Sequence, residues 1–370
     1  MESSEVTTTI PFFPLNRIEP ELKKRWQEVF VDVIDSGKFI RSTQNASFEI
    51  EWAAACGVEH AVGVANGLDG LVLALKALAV GPGKSVAVPS HTFIATWNAV
   101  HLVGATPVGV DVDVNGLLDL NQLESLATVP DVVIPVHMHG MMVDMSRLVT
   151  WAQQRNVLII EDASQAHLAS HDGRYAGSFG QVGVFSLYPT KNLGALGDAG
   201  IVISNDLNII KKIQELGNYG ADSLNKYHHS LIGINSRLDE LQAAILRENL
   251  KYLPSWNAKR KSLAEIYKST LKQNSDLKIL GFEKNSIWHH FPILTTSRPK
   301  FLDYLKENGI GFDIHYPRLA AYEYFEALGK NSPKLLMGET IANEVVSLPI
   351  SPWHTESEIR MVAETVNGYL

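Results

Sequence analysis

The sequence predicts an α/β fold, a mostly parallel sheet covered by helices, followed by a smaller α+β unit. Three observations carry this. Short apolar runs alternate with helix-period segments along roughly the first 250 residues, the pattern of parallel strands joined by helical crossovers. The runs are predominantly apolar, without an alternating wet face, as in a sheet buried on both sides. Beyond about residue 252 the periodicity loosens, so the expected units are residues 1–252, N-terminal segment included, and 253–370.

Element by element, Pro20 opens an amphipathic helix with Leu22, Trp26, Val29, Phe30, Val33 and Ile34 at helical spacing, and Gly37 ends it. A second helix ends at Gly57. A third spans 67–79, with Leu68, Leu71, Val72, Leu75 and Leu78 on one face. Strand-like segments follow at 85–88, 107–112, 132–136, 157–160, 182–187 and 200–204, with a helix after His91. A helical stretch covers 237–248, and Pro254 starts another. In the C-terminal unit, 288–294 reads as a strand and 301–308 as a helix.

With 32 Lys and Arg against 40 Asp and Glu, the net charge is -8, and no block of basic residues marks a nucleic-acid or anionic-membrane partner. Cys56 is the only cysteine, which excludes a disulfide framework and a thiolate metal cluster and suits a reducing cytoplasm. The first ten residues have neither the basic start nor the apolar core of a signal peptide. No apolar run reaches about 18 residues. A cytoplasmic location is the expectation.

The stretch from Phe185 to Gly200 hangs Lys191 on a Gly-rich loop between two strand-like runs. Alone, such a lysine is a solvated surface charge far more often than a presented amine. About thirty residues upstream the apolar run 157–160 ends in Glu161-Asp162, followed by Ala163-Ser164-Gln165-Ala166-His167. A lysine for a Schiff base and an aspartate for a pyridinium nitrogen are the minimum equipment of pyridoxal 5'-phosphate (PLP) chemistry. Parallel sheets gather ligands at the carboxyl ends of their strands, where Asp162 and the Lys191 loop both fall. Asn66-Gly67-Leu68-Asp69 opens an apolar helix, whose leading N–H groups can hold a phosphate or simply be capped by Asn66. Ser186 could add a hydroxyl. Phe93, at a strand end, could stack on a flat heterocycle or belong to the core.

Other motifs fail when counted. Gly81-Pro82-Gly83-Lys84-Ser85 lacks the glycine five residues before Gly83 that a P-loop requires. Gly194, Gly197 and Gly200 precede a strand and not a helix, unlike a dinucleotide fingerprint. His137 and His139, His228 and His229, and His289 and His290 have no Cys or carboxylate at metal-site spacing. Ser178 and Ser186 lie in no nucleophile elbow.

The blocks Gly63 to Asp69, Val88 to Thr96, Glu161 to His167, the Lys191 loop, Gly217-Asn218-Tyr219-Gly220, Gly233 to Ala244 and Ile314-His315-Tyr316-Pro317 resemble, in order, those of the DegT/DnrJ/EryC1/StrS family of PLP-dependent sugar aminotransferases. The resemblance implies the fold-type I architecture, with a mostly parallel seven-stranded sheet, and a homodimer with shared active sites. It implies Lys191 as Schiff-base lysine and proton shuttle, Asp162 on the pyridine nitrogen, and Gln165 on the ring hydroxyl. Gly67, Leu68 and Ser186 would hold the phosphate, Asn235 would reach it from the other subunit, and Phe93 would stack on the ring. Tyr188, Tyr219, Arg237, His315 and Tyr316 fall at substrate-binding positions.

His139-Gly140-Met141-Met142 stands where many members have Tyr-Gly-Gln-Pro, Gly70 replaces a frequent Ala, and residues 318–322 depart from a proline-rich continuation. The resemblance implies transfer from L-glutamate to a nucleotide-linked keto sugar in deoxyamino-sugar biosynthesis. Asn66-Gly67-Leu68-Asp69 is similar to the version in members that aminate C3 of a dTDP-3-keto-6-deoxyhexose. The alternative is a C4 aminotransferase acting on a UDP- or GDP-linked 4-keto sugar. A related sugar dehydratase carries His in place of Lys191, and a silent PLP-fold sensor would need a broken lysine or aspartate; both residues are intact.

Overall fold

The computed structural model describes residues 10–222, 225, 227–281, 286–318 and 335–369. Pro20 heads α1 (Pro20–Ser36), where its missing N–H costs nothing, and Gly37 closes it with left-handed backbone. Leu22, Val29 and Val33 are buried, whereas Phe30 and Ile34, expected on the same face, are exposed. The reason is that α1 packs along a narrow stripe, Val29 and Val33 against Ala244 and Ile245. α2 (Thr43–Cys56) has the Glu240 carboxylate at its N-terminus, accepting from the N–H groups of Ser42, Gln44 and Asn45 at 2.6, 2.8 and 3.0 Å. That placement neutralises orphan donors and suits the helix dipole.

Then strand and helix alternate as β1 (His60–Val64), α3 (Gly67–Ala77), β2 (Ser85–Pro89), α4 (Ile94–Leu102), β3 (Thr106–Val110), α5 (Leu120–Glu124) and β4 (Val132–Val133). Next come α6 (Met145–Arg155), β5 (Leu158–Asp162), the short hairpin β6 (Ser170–His171) and β7 (Arg174–Tyr175), β8 (Val182–Ser186), β9 (Gly200–Ser204) and α7 (Leu207–Leu216). Seven strands form one sheet in the order β1-β9-β8-β5-β4-β2-β3. All neighbours from β8 to β3 are parallel, while β9 runs antiparallel to both β8 and β1.

Successive strand residues face opposite sides. Val86, Val88, Ile160, Val184 and Val202 pack under α3, α4 and α7, whereas Ala87, Ile159, Phe185, Ile201 and Ile203 point to the other side. Both faces are therefore dry. The run 132–136 pairs for only two residues, because Pro135 has no N–H and the chain then turns; Val136 rejoins as a bridge to Asp162.

α8 (Glu240–Leu250) and α9 (Leu253–Thr270) follow, then β10 (Leu277–Ile279), β11 (Phe291–Thr295), α10 (Arg298–Glu307), α11 (Leu336–Glu344), β12 (Val345–Leu348) and α12 (Glu356–Tyr369). β10, β11 and β12 form an antiparallel sheet over a second core that includes Tyr267, Phe291, Phe301 and Val362, with Ile10 of the N-terminal segment packed into it. The strand expected at 288–294 starts three residues later, because Trp288 is left-handed (φ 50°) and the preceding turn is fixed by buried Arg260. Arg260 donates to the carbonyls of Trp288, His289 and Ile350 at 3.2, 3.1 and 2.9 Å. No described helix is long and apolar enough to cross a membrane.

Candidate active site

A cavity of about 570 Å³ opens where the carboxyl ends of β2, β5 and β8 meet the C-terminal unit. It is lined by Gly67, Leu68, Phe93, Asp162, Gln165, Ser186, Tyr188, Lys191, His315 and Tyr316, all expected from the sequence. Asn235, Tyr219 and Arg237 do not line it. They form a separate group: Asn235 bridges to Asn218, Arg237 donates to Asn218 Oδ1 at 3.1 Å, and its guanidinium sits 5.9 Å from the ring of Tyr219, which is 53% exposed. Residues 319–322, part of the departing segment, lie outside the described residues.

Asp162 ends β5 and is buried. Its Oδ2 accepts from Thr96 Oγ1 at 2.9 Å and its Oδ1 from the Ser164 N–H at 3.2 Å, which fixes the orientation of the carboxylate. Thr96 is in turn 3.1 Å from Thr92 Oγ1. Lys191 sits on the loop from β8 to β9. Burial pulls its amine down from 10.5 to about 8, with the charge of Asp162 opposing the shift. The neutral amine is thus more populated near neutral pH than in an exposed lysine, the form that nucleophilic or base chemistry requires. The loop is pinned by Asn192, whose Nδ2 donates to Asn257 Oδ1 at 2.8 Å and whose Oδ1 faces His289 Nδ1 at 3.0 Å.

Gln165 is oriented from both ends, its Oε1 accepting from the His139 N–H at 2.7 Å and its Nε2 donating to Tyr316 Oη at 2.9 Å. Tyr316 also lies 5.1 Å from Phe93, ring to ring. At the opposite end of the cavity Gly67 starts α3. Asn66 Oδ1 caps the Asp69 N–H at 2.9 Å, leaving the N–H groups of Gly67 and Leu68 without an intrahelical partner. A Cβ on Gly67 would fall 3.0 Å from Ser186 Cβ, so the helix start lies close against Ser186 and a larger residue would crowd it. A phosphate-ended, flat, protonatable ring fits this donor set: orphan N–H groups and a hydroxyl for the anion, an exposed aromatic face at Phe93, a fixed carboxylate, and an amine.

The sequence reading did not find Phe12, Phe13, Thr96, Asp198, His289, His290 or Asp313 as site residues. Apart from Thr96, which stands behind Asp162, they line the cavity. Phe12 and Phe13 come from the N-terminal segment, where nothing local marks them; Phe13 is held 5.6 Å below the Arg260 guanidinium. His289 and His290 carried a signal as a histidine pair, weighed only against metal binding. No group of three or more His, Cys, Asp or Glu among the described residues could hold a metal ion.

The sequence profile of the DegT/DnrJ/EryC1/StrS aminotransferase family matches residues 20–367. The chain is 40% identical to the dTDP-3-amino-3,4,6-trideoxy-alpha-D-glucose transaminase of Streptomyces venezuelae over 100% of this chain and 98% of that protein. It is similar to the crystal structure of S. venezuelae DesV in complex with a ketimine intermediate, with TM-score 0.92, 38% identity and coverage of 98% and 99%. It also matches the structure of ntda from Bacillus subtilis with bound cofactor PMP, with TM-score 0.88, 27% identity and coverage of 97% and 84%. The chain belongs to the DegT/DnrJ/EryC1/StrS aminotransferase family, and its sheet of seven strands with covering helices is the fold of those structures.

Proposed function

We propose that this family member is a PLP-dependent transaminase that carries an amino group from L-glutamate to C3 of a dTDP-linked 3-keto-6-deoxyhexose. The observation that carries the reading is the convergence of Lys191, Asp162 and the open N-terminus of α3 on one cavity. The identity to a relative named for a 3-amino dTDP-sugar supports the position of the amine.

When bound, pyridoxal phosphate supplies an aldehyde for amine exchange and a conjugated ring that accepts an electron pair. Gly67 and Leu68 N–H, with Ser186 Oγ, would hold the phosphate, where the helix dipole favours an anion. Asp162 would accept from the ring nitrogen and favour its protonated form, and Thr96 keeps Asp162 in place. Gln165 would face the ring hydroxyl, and Phe93 would cover the ring. Lys191 Nζ would be the base that takes the proton from the donor's α-carbon and the acid that delivers one to the sugar carbon. Tyr188, His315 and Tyr316 contact the sugar nucleotide. Asn235, Tyr219 and Arg237 serve the site of a second copy in a homodimer, which accounts for their distance from their own cavity.

Borohydride reduction of purified protein followed by peptide mapping tests the cofactor assignment. The adduct is expected on Lys191 and is lost in Lys191→Ala; an adduct on another lysine, or normal turnover by Lys191→Ala, overturns it.

A further inference from the structure

Asp111 stands just beyond β3, behind the cavity and not in its lining, and it is buried with no cation paired to it among the described residues. A buried carboxylate needs donors in place of water. Oδ1 accepts from Ser90 Oγ at 2.8 Å, from the Gly338 N–H at 2.8 Å and from the Val112 N–H at 2.9 Å, and Oδ2 accepts from the Met337 N–H at 2.9 Å. Met337 and Gly338 lie in the first turn of α11, and Leu335, the residue before that helix, offers no side-chain cap. A helix of the C-terminal unit is thus capped from the large unit, at the end where its dipole favours an anion. The fit is close: a Cβ on Gly338 would overlap Ser90 Oγ.

Each of these partners leads to one wall of the cavity. Ser90 opens the turn His91-Thr92-Phe93, of which Thr92 and Phe93 line the cavity. On the other side α11 runs without a break into β12. There Ser347 donates its N–H to the Asp313 carbonyl at 2.8 Å, and its Oγ lies 2.9 Å from His315 Nδ1. Asp313, His315 and the next residue, Tyr316, line the cavity from the C-terminal unit. Phe93 and Tyr316 meet ring to ring where the two walls come together. One carboxylate therefore ties the root of both walls.

We propose that Asp111 is a positioning residue: it holds the wall carrying Phe93 and the wall carrying His315 and Tyr316 at their working separation, so that the acceptor's pocket is formed before the acceptor arrives. Lys191 and Asp162 are held by other contacts, through Asn192 and through Thr96. The inference rests on the reading that the acceptor is a nucleotide-linked sugar.

The test is calorimetric titration of the holoenzyme with dTDP, UDP and GDP, beside the reaction with glutamate followed in the cofactor's visible absorbance. Asp111→Asn sets an amide N–H among the donors that the carboxylate accepted from. It is expected to weaken binding of the preferred nucleotide about tenfold and to leave the rate with glutamate within about threefold. Ser90→Ala, which cuts the tie to the Phe93 wall alone, weakens nucleotide binding about threefold and serves if the first variant does not fold. Val362→Ala, a truncation in the second core, lowers the urea midpoint and leaves nucleotide binding unchanged. Nucleotide binding unchanged in Asp111→Asn and Ser90→Ala, an equal loss of binding in Val362→Ala, or a reaction with glutamate slowed as much as binding is weakened overturns the proposal. Binding of none of the three nucleotides by the unsubstituted holoenzyme refutes the nucleotide-sugar reading and the proposal with it, whereas binding that the variants leave intact refutes the proposal alone.

Discussion

At the residue scale, burial sets the protonation of the site, and acid is the way to read it. His91 is 2% exposed, and desolvation lowers its pKa from 6.5 to about 4; His167 falls to about 3 by burial and then the charge of Lys191. Both are neutral in the folded chain and protonate in the unfolded chain below about pH 6.5. The unfolded state thus binds more protons as pH falls, and stability is lost between about pH 6.5 and 4. For His91 alone the full loss is about 3 kcal/mol. Urea unfolding at pH 7, 6 and 5 is expected to give falling midpoints, and a flat profile would contradict the burial. Lys191 and Asp162 were legible because each residue type in its setting names a chemistry. Thr96 was not: its partner Asp162 is 66 residues away, and a threonine on an apolar helix has no local mark.

At the scale of elements, helix ends were readable from Pro20, Gly37 and Gly57, whose backbone constraints act locally. What escaped was set by distant partners. Glu240 serves α2 from almost 200 residues away, and Arg260 delays β11 by holding the turn before it. Gly70 belongs here too. A Cβ there would fall 2.7 Å from Val184 Cγ1 and 3.3 Å from Val202 Cγ2, so α3 lies closer to the sheet than an alanine allows. Gly70→Ala is expected to destabilise by ~1–3 kcal/mol through overpacking, despite its better helix propensity. A denaturant midpoint equal to or above that of the unsubstituted protein would show that the packing has room.

At the scale of the molecule, we propose a boundary at residues 252 and 253, between a large and a small unit. α9 starts there: Leu253 packs with Phe48 and Trp52, whereas Leu263 and Tyr267 belong to the second core. The N-terminal segment, read with the large unit, sends Ile10 into that second core, a contact between the chain's two ends that no local pattern encodes. The proposed homodimer makes its own prediction. Verified heterodimers of inactive Lys191→Ala and inactive Asn235→Ala chains regain activity, because one of their two sites is free of both lesions; no recovery would mean that Asn235 acts within its own chain. The central claim, amination of a nucleotide-linked keto sugar at C3, is tested most directly by one measurement. Purified protein is incubated with glutamate and either dTDP-3-keto-6-deoxyhexose or its 4-keto isomer at matched concentration, and the amino-sugar product is quantified by mass spectrometry. The account predicts product from the 3-keto sugar, little from the 4-keto isomer and none with Lys191→Ala; preferential amination of the 4-keto sugar, or product from Lys191→Ala, would contradict it.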